Sequence, residues 1–197
     1  VLLQACQQMV TWQEQYRFDP PLTISVNLSG NQFCKSDIID YIAWVLSESR
    51  LPPEQLKIEI TENALMDFTE ATLQVFHNLR AMGVQIQIDD FGIGYSSLSY
   101  LSQFPINALK IDQYFVQRIS TDSNRLKIVQ AIVMLTQRLD VVVIAEGVEN
   151  AQQLEKLKEM GCEYGQGYYL ARPMDDQHTE GLLRKVAGTG GVMEYPP

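Results

Sequence analysis

Short apolar runs alternate along the chain with longer segments in which apolar residues recur every three or four positions. The short runs, each followed by a polar turn, predict six strands: Leu22–Leu28, Leu56–Ile60, Val84–Ile88, Leu109–Ile111, Val141–Ala145 and Gly167–Leu170. The helical spacing predicts four helices between them: Asp37–Leu46, Glu70–Met82, Arg125–Leu139 and Gln152–Met160. Such parallel βα units fit either an open, doubly wound sheet or a closed (β/α)8 barrel.

The two ends of the chain bear on that choice. Leu2, Cys6 and Met9 already have helical spacing with no capping residue before them, so we expect the chain to be part of a longer polypeptide. A barrel needs eight strands, and two strands upstream of Val1 would complete the six. Residues 188–197 have a turn-rich composition, which predicts a flexible tail after a domain that spans residues 1–187.

Polar side chains accompany every predicted strand, in most cases at or near its C-terminal end. They are Asn27, Glu59 and Glu62, Asp89 and Asp90, Lys110 and Asp112, Glu146 and Glu149, and Gln166 where the last strand opens. A single aspartate after a strand is commonly a helix cap, and a structural ion pair would account for any one buried pair. The presence of polar side chains on all six strands instead predicts one shared cavity, because parallel strand ends converge on one mouth of a barrel.

Composition and charge narrow the function classes. The chain is 46% hydrophobic and 20% charged, which suits one globular domain. Its formal charge of −9 excludes a groove for a nucleic-acid polymer, and no apolar run approaches the roughly 20 residues that span a bilayer, so we expect no membrane contact. Cys6, Cys34 and Cys162 are isolated and lack CxxC spacing, which predicts the reduced thiols of a cytoplasmic protein.

Five or more carboxylates that face one cavity would repel one another and raise their own pKa values. A divalent cation removes that conflict, and the oxygen donors suit Mg²⁺, Mn²⁺ or Ca²⁺ because no Cys or His lies among them. Adjacent aspartates suit a pair of ions about 4 Å apart, the arrangement that hydrolyses phosphoesters. The turn Gly92–Gly94 before Tyr95 is equally well explained as a flexible turn or as a phosphate loop, and no Walker lysine follows it.

Six motifs, in one order from Val1 to Met174, resemble the EAL domain, a family of cyclic di-GMP-specific phosphodiesterases. They are NLS (Asn27–Ser29), IEITE (Ile58–Glu62), DDFGIGYSSL (Asp89–Leu98), LKID (Leu109–Asp112), AEGVE (Ala145–Glu149) and GQGYYLARP (Gly165–Pro173). The resemblance implies a (β/α)8 barrel with an antiparallel first strand, of which about two N-terminal strands are lacking here. It also implies that water opens one phosphodiester of cyclic di-GMP to give linear pGpG, with the help of two Mg²⁺ or Mn²⁺ ions.

The resemblance further implies a role for each matched residue. Asn27, Glu59 and Asp89 correspond to ligands of the first metal, and Asp89 would bridge to a second ion that Asp90 and Glu146 also hold. The remaining matches are a water-positioning lysine, Lys110; a glutamine that lines the site, Gln166; a glutamate that anchors the loop after the paired aspartates, Glu62; supporting residues, Asp112 and Glu149; and substrate contacts, Gln32, Arg172 and Pro173.

The chain also departs from the family pattern. The motif Glu-Ala-Leu, whose glutamate is a metal ligand in the family, does not occur among these residues and would belong to an upstream strand, so we expect weak metal binding and little turnover from this stretch alone. Ile93 stands where the family usually has threonine. Two alternatives stay open: an inactive cyclic di-GMP receptor and a dimerising interaction module. The family resemblance also implies a homodimer through the segment after Asp90, and upstream sensory or GGDEF-type domains.

Overall fold

The computed structural model describes residues 1–65, 69–94 and 101–188. In this part of the chain the strands are β1 Ile24–Asn27, β2 Leu56–Thr61, β3 Gln85–Phe91, β4 Ala108–Ile111, β5 Val142–Ala145 and β6 Tyr164–Gly165. The helices are α1 Leu2–Gln15, α2 Gly30–Phe33, α3 Ile38–Ser49, α4 Glu70–Ala81, α5 Gln113–Val116, α6 Ser123–Leu139, α7 Ala151–Glu159 and α8 Asp176–Gly188. Two short 3₁₀ helices, Pro53–Gln55 and Glu62–Leu65, flank β2.

The six strands form one curled, parallel sheet in which each strand pairs with its neighbours in sequence, in the order β1 to β6. The register sets Asn27 opposite Glu59, and Thr61 opposite Asp89. A doubly wound sheet reverses its strand order at a switch point, whereas barrel strands follow one another. The order therefore selects the barrel type of architecture over the open sheet, and the described strands make up its six-stranded half.

The two faces of the sheet differ in polarity. Ile58 and Ile60 of β2 are buried in the hydrophobic core, where α4 and α6 pack against the neighbouring strands β3 to β5. The residues that alternate with them, Lys57, Glu59 and Thr61, are polar and face the opposite side, because successive side chains of a strand point to opposite faces. The helix-covered face thus supplies the core, and the other face carries the polar side chains.

The four predicted helices and the first five predicted strands are confirmed, with ends that differ by up to three residues. Asn150 and Gln153 form a capping box at the start of α7, and Gly83 and Gly161 adopt positive φ angles just after α4 and α7. The chain begins with the predicted helix, which runs to Gln15.

The predicted last strand, Gly167–Leu170, is wrong. The backbone N–H groups of Leu170 and Ala171 both donate to the carbonyl oxygen of Gly167, which closes a turn there, and the sixth strand is Tyr164–Gly165 instead. Gly167 packs so tightly on Val148 that a Cβ would lie 2.3 Å from its backbone. Gln166 therefore follows the strand rather than opening it, and so obeys the same strand-end rule as the other polar residues.

Three further predictions concern the cysteines, membrane-spanning helices and the C-terminal tail. Cys6, Cys34 and Cys162 are free cysteines. Among the described helices, none combines the length and the apolar character needed to cross a bilayer. The predicted tail, residues 188–197, lies outside the described residues except for Gly188, where α8 ends.

Candidate active site

The ammonium group of Lys110 lies at the centre of a buried cluster of charges. Lys110 belongs to β4, and its Nζ lies 2.8 Å from Glu59 Oε2, 3.0 Å from Asp89 Oδ1 and 2.7 Å from Glu146 Oε1. The carboxylates come from β2, from β3 and from the residue after β5. An ammonium group carries three protons, so each of these contacts can use one of them. Three neighbouring strands thus supply anions to one cation on the polar face of the sheet.

Burial and the neighbouring carboxylates shift the pKa of Lys110 in opposite directions. Burial alone would lower the pKa of Lys110, but its hydrogen bonds to Glu146 and Glu59, together with their charges, raise that pKa above its usual value. Burial, together with the charges of Asp89 and Asp90, raises the pKa of Glu146 to about 7, although the hydrogen bond and charge of Lys110 act to lower it. The cluster therefore keeps its ammonium protonated but has more negative charge than that ammonium can balance.

We expect the free energy of unfolding of the protein in EDTA to fall as the pH rises from about 5 to about 8. The pKa of Glu146 is about 7 in the folded chain, against 4.5 for an ordinary glutamate. Between these values the folded state binds the additional proton, so raising the pH favours unfolding. Urea unfolding at a series of pH values measures the slope, and Glu146→Gln should flatten it.

Glu155→Gln, an exposed change on α7, is the matched control and should keep the slope of the unaltered protein. If Glu146→Gln left the pH dependence unchanged, the raised pKa of Glu146 would be disproved.

Asp90 turns away from regular strand geometry. Its φ angle is 55°, in the left-handed region, and its backbone N–H donates to Asp89 Oδ1 at 3.1 Å. Burial and the charge of Asp89 raise the pKa of Asp90, as does the neighbouring carboxyl group of Asp112. Asp112 is itself buried and caps α5 by accepting from Tyr114 N at 2.6 Å. The paired aspartates are thus held in different directions, one toward Lys110 and the other toward Asp112.

Glu62 holds the turn that follows the paired aspartates. Its Oε2 accepts hydrogen bonds from the backbone N–H groups of Gly92, at 2.8 Å, and Gly94, at 3.0 Å. Gly92 has a φ angle of 103°, and a Cβ there would lie 2.7 Å from Cε2 of Phe115. The turn is therefore fixed on one side by a buried carboxylate and on the other by an aromatic ring. The segment that continues from it, residues 95–100, lies outside the described residues.

Replacing Gly92 with alanine should lower both stability and turnover. An L residue at this φ costs about 1–3 kcal/mol, and the new Cβ would push the Phe115 ring or move the turn that follows Asp90. We expect about a tenfold loss of the hydrolytic turnover that the family resemblance implies, which corresponds to about 1.4 kcal/mol, together with a lower urea midpoint.

Gly161→Ala provides the matched control, since Gly161 also has a positive φ, of 80°, but follows α7 away from the cluster. It should lower stability and leave turnover per folded molecule unchanged. Equal turnover for the two variants would mean that the Gly92 turn does not position the site.

A divalent cation fits the donors of this site. Asp89, Asp90 and Glu146 can each offer a carboxylate oxygen, and these three atoms lie within 4.8 Å of one another. Carboxylate oxygens are the ligands that Mg²⁺, Mn²⁺ and Ca²⁺ prefer. Four carboxylates, those of Glu59, Asp89, Asp90 and Glu146, lie in this cluster with the one ammonium group of Lys110. Burial, and then the charges of neighbouring carboxylates, raise the pKa values of Asp90 and Glu146, so the cluster has an excess of negative charge. A bound cation would remove that excess.

The other sequence-predicted residues lie at different distances from the cluster. Gln166 donates through Nε2 to Glu146 Oε1, the same oxygen that contacts Lys110. Asn27 ends β1 beside Glu59, with an exposed side chain, and Glu149 is exposed beyond β5. The structure thus brings Gln166 into the cluster, while Asn27 lies at its edge and Glu149 outside the direct contacts of Lys110.

The three predicted substrate contacts are not part of the charged cluster. Gln32 closes a capping box with Ser29 at the start of α2. Arg172 lies over the ring of Tyr168, 4.9 Å from its centroid, and Pro173 follows it on the way to α8. All three lie in segments that follow the C-terminal ends of strands, Gln32 after β1 and the other two after β6.

Sequence reasoning missed Phe115 as the residue that supports the Gly92 turn. Phe115 has the ordinary spacing of a core residue, and it is indeed buried. Its link to the site depends on a contact between β3 and α5 that no sequence period encodes. The signal that was available is the glycine directly after a strand, since such a glycine often marks a close approach or a left-handed turn.

The comparison with known protein families shows which family the chain belongs to. The model of the EAL domain family matches residues 1–173. The chain belongs to the EAL domain family. The sequence resemblance is therefore confirmed, and so is the barrel type of fold that it implies.

Curated relatives of this EAL domain are much longer than the chain. The bifunctional diguanylate cyclase/cyclic di-GMP phosphodiesterase MucR of Pseudomonas aeruginosa is 43% identical over 187 residues, which are 95% of this chain and 27% of MucR. The signaling protein YkoW of Bacillus subtilis is 40% identical over 183 residues, 93% of this chain and 22% of YkoW. The EAL domain described here thus spans about a quarter of the length of these two relatives.

A solved structure is also similar to this EAL domain. The PaMucR phosphodiesterase in complex with c-di-GMP superposes with a TM-score of 0.86 at 41% sequence identity. The match covers 90% of this chain and 71% of that chain. The half-barrel of this chain therefore has the backbone arrangement of an EAL domain that binds c-di-GMP.

Proposed function

We propose that this EAL domain hydrolyses cyclic di-GMP to linear pGpG with the help of Mg²⁺ or Mn²⁺. The observation that carries the proposal is the buried cluster in which Lys110 contacts Glu59, Asp89 and Glu146 at strand ends, with Asp90 beside it. A site with excess carboxylates and one lysine suits metal-assisted phosphoester hydrolysis, in which water adds to phosphorus and one P–O bond breaks. The similarity to the c-di-GMP complex of PaMucR supports the choice of substrate.

We assign the metal ligands from the donors that surround Lys110. Asp89 would contribute to both of two ions, with Asn27 and Glu59 on the side of β1 and β2, and Asp90 and Glu146 on the side of β5. When bound, the ions would supply Lewis acidity, which lowers the pKa of water and offsets charge on the phosphate oxygens. The excess negative charge and the hard oxygen donors of the site support this assignment.

The side chains of the protein itself would orient the attacking water and the metal ligands, and would balance negative charge. Lys110, with its raised pKa, stays protonated and so acts as a hydrogen-bond donor that holds the attacking water and balances developing negative charge. Gln166 fixes the orientation of Glu146 through its amide. Glu62 keeps the Gly92 turn in place, and Asp112 fixes the direction of Asp90. Each of these residues acts by position, through contacts already present in the folded chain.

We place the substrate at the mouth formed by the strand ends, between Gln32 on one side and Arg172 and Pro173 on the other. Glu149, exposed after β5, would support this rim rather than hold metal. A guanidinium group binds phosphate well, so Arg172 could leave its position over Tyr168 to meet the ligand. These assignments rest on the resemblance and on the location of the segments after β1 and β6.

We also infer the setting of the domain in its protein. MucR is named as a bifunctional cyclase and phosphodiesterase, and this chain matches about a quarter of it, which supports an output domain beside sensory or GGDEF-type domains. The three free cysteines support a cytoplasmic location. A homodimer through the segment after Asp90 stays a prediction, since residues 95–100 lie outside the described part of the chain.

The deciding experiment incubates the full-length protein with cyclic di-GMP and either Mg²⁺ or Mn²⁺, and separates the products by chromatography. We expect linear pGpG to form, and EDTA to stop its formation. A folded, metal-loaded protein that binds cyclic di-GMP without releasing pGpG would disprove catalysis and leave the receptor. A protein that neither binds nor cleaves the dinucleotide would leave the interaction module.

A further inference from the structure

Two aromatic side chains lie side by side on the outside of α3. Tyr41 is 42% exposed and Trp44 is 48% exposed, and their rings stack with centroids 6.0 Å apart and planes 28° from parallel. The opposite face of α3 is buried in the core through Ile38, Ile42, Val45 and Leu46. The aromatic pair therefore adds nothing to the core and leaves a large apolar area in water.

Three carboxylates share this face of the helix. Asp37, Tyr41, Trp44 and Glu48 follow one another at intervals of four, three and four residues, which puts them in one row, and Asp40 lies one turn before Trp44. We call these five residues the α3 surface. The ion pairs among the described residues include none of its carboxylates, and α3 contains no lysine or arginine.

The stability of α3 itself does not account for two of these charges. Asp37 occupies the N-cap position but makes no capping hydrogen bond through its side chain. Glu48 lies in the last turn, where the partial negative charge of the helix terminus repels a carboxylate. A cation beside Glu48 would be favoured both by that carboxylate and by the helix terminus. The α3 surface thus has the charge of one half of an interface whose other half is basic.

We propose that the α3 surface binds a basic segment of a partner protein. An arginine of the partner would stack on Tyr41 and Trp44, because a guanidinium group is attracted to the face of an aromatic ring and is weakly hydrated. Flanking cations would reach Asp37 and Glu48, which are eleven residues apart, or about 16 Å along a helix. Such a segment has arginines spaced over about three turns.

Charge favours a basic protein over the other classes of partner. Phosphates of a nucleic acid or of an anionic bilayer would be repelled by the three carboxylates. A second copy of this chain carries the same formal charge of −9 and offers no basic counterpart on α3. The site of hydrolysis is formed at strand ends, whereas the α3 surface lies on the outer layer, so the two are separate features of the same domain.

The test uses an alanine-based helical peptide with arginines at positions i, i+4, i+7 and i+11, titrated into this chain. Trp12→Phe leaves Trp44 as the one tryptophan, because the chain has two, so its fluorescence reports the α3 surface. We expect saturable binding that weakens several-fold between about 50 and about 500 mM NaCl. Asp37→Asn with Glu48→Gln should weaken binding about fivefold. Trp44→Ala, followed by calorimetry, should weaken it about threefold.

The matched control is the double change Glu155→Gln and Glu159→Gln, which removes two exposed charges from α7. It should leave the peptide affinity unchanged, and a peptide with glutamine in place of arginine should not bind. Equal weakening by the two double variants would overturn the proposal, since it would show general attraction to an acidic chain. Self-association in sedimentation that Trp44→Ala abolishes would also overturn it, as would Trp44-dependent binding to phosphatidylserine vesicles.

Discussion

Replacing Lys110 with alanine should reduce the turnover of cyclic di-GMP by about a thousandfold in the full-length protein, while substrate binding stays nearly unchanged. A positioned proton donor contributes roughly a hundredfold to ten-thousandfold to such a reaction. The ammonium group of Lys110 contacts three carboxylates and lies closer than 3.1 Å to each, so no neighbouring cation among the described ion pairs can replace it. Chromatography of pGpG measures turnover, and calorimetry with Ca²⁺ present measures binding.

The same change should lower the stability of the protein in EDTA. Removing the cation leaves the buried Glu59 and the partly buried Asp89 and Glu146 without their partner, and breaking a buried ion pair in this way costs about 3–5 kcal/mol before the site relaxes. Added Mn²⁺ should restore most of that loss, because a divalent cation can take over the balancing charge. Lys158→Ala, an exposed change on α7, should alter neither property. Unchanged turnover in Lys110→Ala would remove Lys110 from the mechanism.

Asp89→Asn should weaken Mn²⁺ binding by at least about a hundredfold, and turnover should fall with it. The asparagine keeps the size of the side chain and can still accept from Asp90 N, so the turn should persist. It removes the charge that both faces Lys110 and belongs to the three-carboxylate group with Asp90 and Glu146. Calorimetric titration with Mn²⁺ measures the affinity, and circular dichroism checks the fold.

Asp122→Asn supplies the matched control for this second change. Asp122 caps α6 by accepting from Asn124 N and Arg125 N, so its charge serves a helix terminus and not the cluster. Its replacement should leave the Mn²⁺ affinity unaltered, with a small loss of stability. If Asp89→Asn bound Mn²⁺ as tightly as the unaltered chain, Asp89 would not be a ligand and the proposed bridging role would fail.

The strand and helix pattern was predictable because burial on one face of each element leaves a period in the sequence. Strands such as Leu56–Thr61 and helices such as Ser123–Leu139 were located within three residues for this reason. The sixth strand, Tyr164–Gly165, is two residues long and therefore has no period to detect. The apolar run after it, Gly167–Leu170, has strand composition but closes a turn through the carbonyl of Gly167.

The candidate site was predictable as a set of residues but not as an arrangement. Because parallel strands end on one edge, the chain order alone indicated that Glu59, Asp89, Lys110 and Glu146 would lie together. The sequence did not indicate that one ammonium group would contact all three carboxylates, since that depends on strand register and on the curl of the sheet. Nor did it indicate the left-handed φ of Asp90, which directs the second aspartate toward Asp112.

The sequence by itself determined the βα order, the polar residues at strand ends and the family, because these depend on side-chain chemistry and on local periods. Only the tertiary structure decided which charges touch, how Glu62 and Phe115 fix the Gly92 turn, and that Tyr41 and Trp44 face water beside three carboxylates. The contacts of the charged cluster and of the Gly92 turn join residues tens of positions apart. Their geometry depends on the packing of the whole sheet and its helices, and no local pattern contains it.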